Sequence, residues 1–363
     1  MRVPGPDGSR PTGYAPAHEA VDRSPRPGRP RGRRCEEAAV VLNATLFCSA
    51  EALERYGPAW RAAAEAAGGT LHVLTLPADR HLTDDEMATI DIAVFSSDIW
   101  QGDQGPSFFK VLLQAPNVRW LHMFAAGLDH PIFGELRRRG LTITHSAGSS
   151  ATPIAHTVVM HIIALCRQAR AFAVAQSEHR WADRPTNLDV EGRTLAVVGL
   201  GSIGSEVARL AAHFGMHVVG VRRTPTGDEP CETWSTTRLH ELLPQVDTLV
   251  LTAPLTDETR GLIGAHELGL LPRGAHVVNV GRGELIDEAA LVEALQSGQV
   301  GGAALDVFAV EPLPTDSLLW DLPNVIVTPH HAGGTPLAAQ RAADVFTANI
   351  GHWMQGAPLR NQA

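Results

Sequence analysis

The chain has 363 residues, of which 44% are hydrophobic, and this is enough apolar material for two domains with cores of their own. The formal net charge of −9 argues against a nucleic acid as the main partner. Four scattered cysteines (35, 48, 166 and 231) without any C-x-x-C spacing indicate neither a disulfide framework nor a zinc site. No metal is therefore predicted, and a cytoplasmic location is expected. No apolar run reaches the roughly 18 residues of a membrane span, and no signal peptide is recognisable, so no membrane partner is expected.

Residues 1–37 are predicted to form a disordered tail. The first 34 of them are rich in Pro, Gly and Arg and nearly free of large apolar side chains. Eight arginines against three acidic residues make this segment basic. Two alternative explanations for this basic segment are an arm that binds an anionic partner and a start codon assigned too far upstream.

Strands and helices alternate between residues 38 and 146. Apolar runs predict strands at 39–46, 71–76, 92–95 and 118–122, and a helix at 59–67. This alternation is typical of a parallel sheet. A long helix follows, for which Thr152 is the predicted N-cap and Pro153 the first helical residue. It runs to about Arg167 and is apolar almost all round, as expected at a junction between two domains.

A second alternating block begins near residue 194. A helix within it is predicted to be capped by Asp287 and ended by Gly298. A closing amphipathic helix, with Phe346 and Trp353 on its apolar face, is predicted to pack back on the first block. The fold class is therefore α/β with a doubly wound parallel sheet. Its six predicted strands are 195–199, 217–221, 248–252, 277–280, 303–307 and 325–328.

A glycine-rich motif, GLGSIG at 199–204, lies between a predicted strand and a predicted helix. Gly199 makes a tight turn, Gly201 lets the backbone approach a pyrophosphate, and Gly204 allows close packing of the helix on the strand. The amino end of the helix then faces the anion. A lone G-x-G-x-x-G is weak evidence, but the strand–motif–helix–strand context predicts a dinucleotide site.

The end of the next strand discriminates between NAD and NADP. An acidic residue there would bind the ribose 2′-hydroxyl of NAD. This chain has Arg222, Arg223 and Thr224 instead, and two guanidinium groups suit a 2′-phosphate. NADP is therefore favoured over NAD. The alternative is a solvated basic turn with no cofactor role.

Three chemically complementary residues follow successive strands of the second block. Arg282 follows the strand at 277–280, Glu311 comes after the next strand, and His330 follows the last. Because ligands of such sheets bind at the carboxyl ends of the strands, the three side chains can meet in one cleft. Reduction of a 2-oxo acid needs a cation for the carboxylate and carbonyl, which Arg282 can supply. It also needs a proton donor, for which His330 beside Glu311 is suited.

Several stretches together resemble the D-isomer-specific 2-hydroxyacid dehydrogenases. The second block matches densely and in order, whereas the first matches loosely, mainly through FAAGLDH at 124–130. The other matching stretches are GLGSIGSEVA at 199–208, APLTDETRGLIG at 253–264, VVNVGRGELIDEAAL at 277–291, ALDVFAVEP at 304–312 and TPHHAGGT at 328–335.

The resemblance implies a flavodoxin-like substrate domain made of residues 38–146 and 334–363. A Rossmann NAD(P)-binding domain, residues 147–333, would be inserted in it. By resemblance Arg282, Glu311 and His330 are the catalytic residues, and Arg282 also contacts the substrate. Backbone amides of Ala125, Ala126 and Gly127 would bind the substrate carboxylate. Further cofactor contacts are implied at Ser202, Ile203, Ala253, Pro254, Thr259, Val280 and Asp306, the last to the nicotinamide amide.

The predicted activity is reduction of glyoxylate, hydroxypyruvate or a related 2-oxo acid by a homodimer. A D-lactate- or phosphoglycerate-type dehydrogenase is the enzymatic alternative, and a nucleotide-sensing corepressor is the non-enzymatic one. Two departures from the family pattern stand out. His156 replaces the usual Glu near the start of the junction helix, and His331 adjoins His330, where a second imidazole could perturb titration.

Overall fold

Two parallel β-sheets, each covered by helices on both faces, make up the computed structural model, which describes residues 43–128, 130–182 and 187–363. The predicted tail and the first four residues of the first predicted strand lie outside these ranges. The predicted α/β class with two parallel sheets is confirmed.

The first sheet has five strands in the order β2-β1-β3-β4-β5, all parallel. This order is that of flavodoxin-like folds. The strands are β1 (Asn43–Cys48), β2 (Thr70–Thr75), β3 (Ile92–Phe95), β4 (Trp120–Met123) and β5 (Thr142–His145). The helices of this region are α1 (Ala50–Ala66), α2 (Asp84–Ala88), α3 (Ser97–Gln101), α4 (Gly105–Gln114) and α5 (Pro131–Arg138).

The second sheet has seven parallel strands and the doubly wound order of dinucleotide-binding folds, β12-β11-β10-β9-β6-β7-β8. Its strands are β6 (Thr194–Val198), β7 (His217–Arg222), β8 (Glu232–Ser235), β9 (Thr248–Leu251), β10 (Ala275–Asn279), β11 (Val300–Leu305) and β12 (Val325–Val327). The remaining helices are α6 (Ala151–Cys166), α7 (Ala169–Ser177), α8 (Ser202–His213), α9 (Leu239–Leu242), α10 (Ala265–Leu270), α11 (Glu288–Gln296) and α12 (Pro336–Met354).

The closing helix α12 completes the core of the first sheet, as predicted. Phe346 is fully buried, and its ring centroid lies 5.2 Å from those of both Trp60 on α1 and Trp120 on β4. Aromatic pairs at such distances contribute beyond the area that they bury. The last helix of the chain therefore covers one face of a sheet formed by residues before 146.

A buried polar network lies under this aromatic cluster. His122 on β4 is fully buried, with Nδ1 2.7 Å from the Thr144 hydroxyl and Nε2 2.9 Å from the Ser146 hydroxyl. Trp120 Nε1 donates to Thr144, and Ser146 donates to the Ala342 carbonyl of α12. Burial, with a smaller effect of the His145 charge, lowers the pKa of His122 to about 3. The imidazole is therefore neutral and joins β4, β5 and α12.

Some element boundaries differ from the predictions. Helix α1 begins at Ala50, nine residues before the prediction, because Ser49 caps it and Pro58 is accommodated inside the helix. Helix α6 begins at Ala151, so Thr152 is not the N-cap. Strands β5 and β8 were not predicted, since each is short and largely polar.

Helices α6 and α7 meet at an angle of 71°. Within the described ranges, no single helix is long and apolar enough to cross a membrane. This bent pair meets the length and composition criteria only when the two helices are taken together.

Candidate active site

The glycine motif forms the turn between β6 and α8, and its three glycines meet different demands. Gly199 has a φ of 103°, and a Cβ there would lie 2.5 Å from the Ala253 nitrogen. A Cβ at Gly204 would lie 2.0 Å from the Gly199 oxygen, so only glycine allows α8 to pack this closely. Gly201 is exposed, with no atom within 4 Å of an added Cβ. The amino end of α8 is therefore open, with room for an anion beside Ser202 and Ile203.

A buried carboxylate, which sequence analysis missed, holds Arg222 at the end of β7. The Arg222 guanidinium donates to Glu229 at 3.0 Å, and the Glu229 side chain is only 5% exposed. Glu229 also accepts from the N–H groups of Thr226 and Gly227 at 2.7 Å each. These bonds, that from the Thr226 N–H first, lower the pKa of Glu229 to about 2. Arg222 is thus fixed in place, whereas Arg223 is 80% exposed and pairs with Glu258 at 3.4 Å.

The loop after β9 lies against the glycine motif. Ala253 is buried where Gly199 passes it, and the Thr252 hydroxyl donates to the Gly199 carbonyl at 2.6 Å. Further along, the Thr259 hydroxyl donates to the Pro254 carbonyl at 2.7 Å and closes the loop. Of the three residues of this loop for which the resemblance implies cofactor contacts, Ala253 thus lies against the dinucleotide motif, and Pro254 and Thr259 are joined to each other by a hydrogen bond.

Arg282 is positioned by Asn279, the last residue of β10. The Asn279 amide accepts from the Gly281 N–H at 3.0 Å and donates to the Arg282 carbonyl at 2.8 Å. A Cβ at Gly283 would lie 1.8 Å from the carbonyl carbon of Phe308, so the backbone after Arg282 touches the loop after β11. Asn279 was not predicted as a site residue, although an amide at the end of a strand, two residues before Gly281, is a visible signal.

Asp306 anchors the loop that carries His330. It is buried, and its carboxylate accepts from the Thr328 hydroxyl at 2.5 Å and from the N–H groups of His331 and Ala332 at 3.0 and 2.9 Å. Its backbone carbonyl accepts from the His330 N–H at 2.8 Å, which supports His330 at a φ of 49°. The observed hydrogen bonds of the Asp306 carboxylate are therefore with this loop.

Glu311 and His330 form the direct contact at the centre of the site. His330 Nδ1 lies 2.7 Å from Glu311 Oε2, and the other Glu311 oxygen accepts from the Phe308 N–H at 3.0 Å. Burial raises the pKa of Glu311, but the hydrogen bonds and the charges of His330 and Arg282 outweigh burial, so the net pKa is lowered. The carboxylate therefore stays ionised, and the charge of Arg282 acts on it.

The two departures from the family pattern lie away from this contact. A Cβ at Gly334 would lie 2.3 Å from the His331 ring, so the second imidazole packs against that glycine. His156 is exposed on α6. The next residue of α6, Thr157, supports the His330 loop by donating to the Ala332 carbonyl at 3.2 Å.

The proposed carboxylate-binding segment follows β4 in the first sheet. Ala125 and Ala126 are exposed and Gly127 is partly buried. Within the part of the chain that the structure describes, no backbone carbonyl accepts a hydrogen bond from the N–H groups of these three residues. They are available as donors for an anion. The remaining predicted site residues lie at the carboxyl ends of strands in the second sheet.

The residues present fit a dinucleotide. Gly199 and Gly204 have the close approaches that the motif requires, and Gly201 leaves the amino end of α8 clear. Val280 directly follows β10 and is buried, two residues before Arg282. The nicotinamide group would therefore lie near the Arg282, Glu311 and His330 loops, at the same edge of the sheet.

Comparison with known proteins agrees with this geometry. The family model "D-isomer specific 2-hydroxyacid dehydrogenase, NAD binding domain" matches residues 159–332. A glyoxylate/hydroxypyruvate reductase of Arabidopsis thaliana is 31% identical over 298 residues, which are 76% of this chain and 91% of that protein. The chain belongs to the D-isomer-specific 2-hydroxyacid dehydrogenase family. It is accordingly an NAD(P)-dependent oxidoreductase that acts on the CH–OH group of 2-hydroxy acids.

Solved structures of this 2-hydroxyacid dehydrogenase family share the whole architecture. A member from Xanthobacter autotrophicus Py2, in complex with NADPH and MES, has a TM-score of 0.70 and 32% identity and covers 90% of this chain and 98% of its own. An NADPH-dependent glyoxylate/hydroxypyruvate reductase from Sinorhizobium meliloti, in complex with NADP and sulfate, has a TM-score of 0.68 and 28% identity. It covers 88% of this chain and 98% of its own.

Proposed function

We propose that the protein reduces glyoxylate, hydroxypyruvate or a similarly small 2-oxo acid with NADPH as the preferred cofactor. The observation that carries the proposal is the 2.7 Å contact of His330 with Glu311, close enough to Arg282 for its charge to lower the pKa of Glu311. This acid, carboxylate and cation stand at the edge of the sheet where the glycine motif leaves room for a dinucleotide.

His330 acts as the general acid in this proposal. Its Nδ1–H donates to the ionised Glu311, which fixes the ring and leaves Nε2 to give a proton to the substrate oxygen. In the oxidative direction the same nitrogen takes the proton back. When bound, the nicotinamide supplies or accepts the hydride. Asp306 keeps the ring in place by holding the loop on both sides of His330.

Arg282 binds the substrate carboxylate and polarises its carbonyl. The planar guanidinium suits a carboxylate in a two-point contact. Asn279 and the close approach at Gly283 fix the backbone from which Arg282 projects. The N–H groups of Ala125, Ala126 and Gly127 would bind the same carboxylate from the first sheet, so the substrate would lie between the two sheets.

Arg222 is proposed to bind the 2′-phosphate of NADPH. Its pairing with buried Glu229 holds the guanidinium at the end of β7, where NAD-binding folds carry an acid. Arg223 is more exposed and would contribute less. Two solved structures of similar chains contain NADPH or NADP, which supports this preference.

The domain division proposed above agrees with the packing of α12 on the first sheet.

We also propose a homodimer formed through the exposed apolar face of α6, α7 and the segment after them. Met160, Phe172 and Trp181 are 53%, 39% and 89% exposed, and both charge signs flank them, as a self-complementary contact requires. The three described cysteines are free thiols, which suits a cytoplasmic enzyme.

The test is a panel of 2-oxo acids assayed with NADPH and with NADH by nicotinamide absorbance. Turnover of the two-carbon and three-carbon acids, faster with NADPH, is expected. Tight nucleotide binding without turnover of any acid would instead favour a sensing role. A panel in which bulky 2-oxo acids react best would overturn the proposed substrate class.

A further inference from the structure

A cluster of metal-ligating side chains lies outside the catalytic site, on the surface of the second domain. It consists of His240 on α9 with His266 and Glu267 at the start of α10. One ligand atom from each residue lies within 4.8 Å of the other two. The two imidazole rings meet edge to face at 5.2 Å, and both histidines are exposed.

Glu267 is fixed independently of any ion. Its Oε2 accepts from the Gly264 N–H at 2.9 Å and so caps α10. Its Oε1 faces His240 Nε2 at 2.9 Å. The side chain is only 16% exposed. One carboxylate oxygen is therefore held in place and presented to the two histidines.

We propose that His240, His266 and Glu267 bind a divalent transition-metal ion of the zinc class, with water as the remaining ligand. Two imidazole nitrogens and one carboxylate oxygen are a ligand set that Zn²⁺ accepts. In a tetrahedral site with bonds of about 2.1 Å, donor atoms stand roughly 3.4 Å apart. The observed spacing needs movements of only about 1 Å in that geometry, and exposed histidine side chains can make them.

The ion would join two elements that are separate in sequence. His240 belongs to the segment between β8 and β9, whereas Glu267 holds Gly264, where the loop after β9 ends. That loop carries Pro254 and Thr259, so metal binding stiffens its far end. The sequence did not reveal this site, because His240 lies on a different element from His266 and Glu267 and the three form no local motif.

The experiment is calorimetric titration of the untagged, metal-free chain with ZnCl₂. One saturable equivalent is expected for the unmodified protein, with Mg²⁺ and Ca²⁺ unable to compete because they prefer all-oxygen sites. His240→Ala and His266→Ala should each weaken binding at least about tenfold. His217→Ala, which removes another exposed histidine of the same domain, should leave it unchanged.

A second readout keeps the test independent of enzyme activity. Zn²⁺ should raise the thermal midpoint of the unmodified protein and of His217→Ala, but not that of the His240→Ala/His266→Ala double variant. Bound Co²⁺ should give visible absorption that disappears in the double variant. Absence of saturable Zn²⁺ binding, or binding that survives in the double variant, would overturn the proposal.

Discussion

The two sheets place their polar side chains differently. In the second sheet, Arg282, Asp306 and His330 follow the carboxyl ends of strands, and His330 remains exposed beside Glu311. In the first sheet, His122 lies inside β4, fully buried between two hydroxyl groups. An imidazole at a strand end with a carboxylate partner can exchange protons with a substrate, whereas a buried imidazole with hydroxyl partners stays neutral and holds elements together.

The largest expected effect is on the catalytic side of this comparison. Arg282→Ala removes the cation that binds and polarises the substrate, so kcat/KM should fall about 10³-fold, or roughly 4 kcal/mol. Steady-state kinetics with the best acid of the panel measure this. Arg138→Ala is the matched control, since that arginine is 75% exposed on α5 and pairs with Glu135. A loss of less than about threefold would remove Arg282 from the mechanism.

The next effect tests the structural side. The pKa of His122 is lowered to about 3 in the folded protein, against about 6.5 in the unfolded chain. As pH falls from about 7 to 4, His122 is protonated in the unfolded chain but stays neutral in the folded protein. The free energy of unfolding should therefore fall by about 3 kcal/mol. Urea unfolding at several pH values should show this loss.

His122→Gln should remove that part of the pH dependence, because a neutral amide can replace both hydrogen bonds of the ring. His72→Gln is the control, since this histidine is exposed on neighbouring β2. If the pH dependence of the unfolding free energy is the same in both variants, His122 is not the neutral buried group inferred from the structure.

Glu311→Gln tests how much the carboxylate at the strand ends contributes to catalysis. It keeps the size of the side chain but removes the charge that His330 faces. The activation free energy should therefore rise by about 1.5–3 kcal/mol, so kcat should fall roughly tenfold to hundredfold. The KM for NADPH should stay the same, because Glu311 orients the acid and does not bind the cofactor. Stopped-flow measurement of the reductive step checks this, and unchanged kcat would contradict the role of the pair.

The smallest expected effect concerns cofactor choice. Arg222→Asp removes the guanidinium and places an acid at the end of β7, so the ratio of kcat/KM for NADPH to that for NADH should fall about tenfold. Arg209→Asp is the control, since Arg209 is exposed on α8 and pairs with Glu206. An unchanged ratio would show that Arg222 does not bind the 2′-phosphate.

Sequence patterns predicted the second sheet better than the first. Strand β11 is followed directly by Asp306, and Arg282 comes three residues after the end of β10, so both the strands and the site at their ends are visible. Strand β5, Thr142–His145, has a polar sequence whose burial depends on Trp120 and α12, which no local pattern shows. The helix predicted at 59–67 begins too late, because a proline such as Pro58 is typical of the start of a helix, whereas here it lies inside α1.

Within the site, residue types were predictable but their pairings were not. Arg282, Glu311 and His330 are recognisable from their positions after strands. The carboxylate of Glu229 beside Arg222, and that of Asp306 beneath the His330 loop, depend on side chains packed across loops. Such contacts need coordinates, because neighbouring acids such as Asp228 have the same chemistry in sequence.

The position of α12 has a consequence for synthesis. Residues 43–145 leave the ribosome before the second sheet does, but Trp60 and Trp120 gain their partner Phe346 only after α12 has emerged. The second sheet, by contrast, is encoded without interruption and has all its strands before α12 is made. The first sheet is therefore translated before the second but completed after it, and its aromatic face stays open to chaperones or to aggregation until α12 is made.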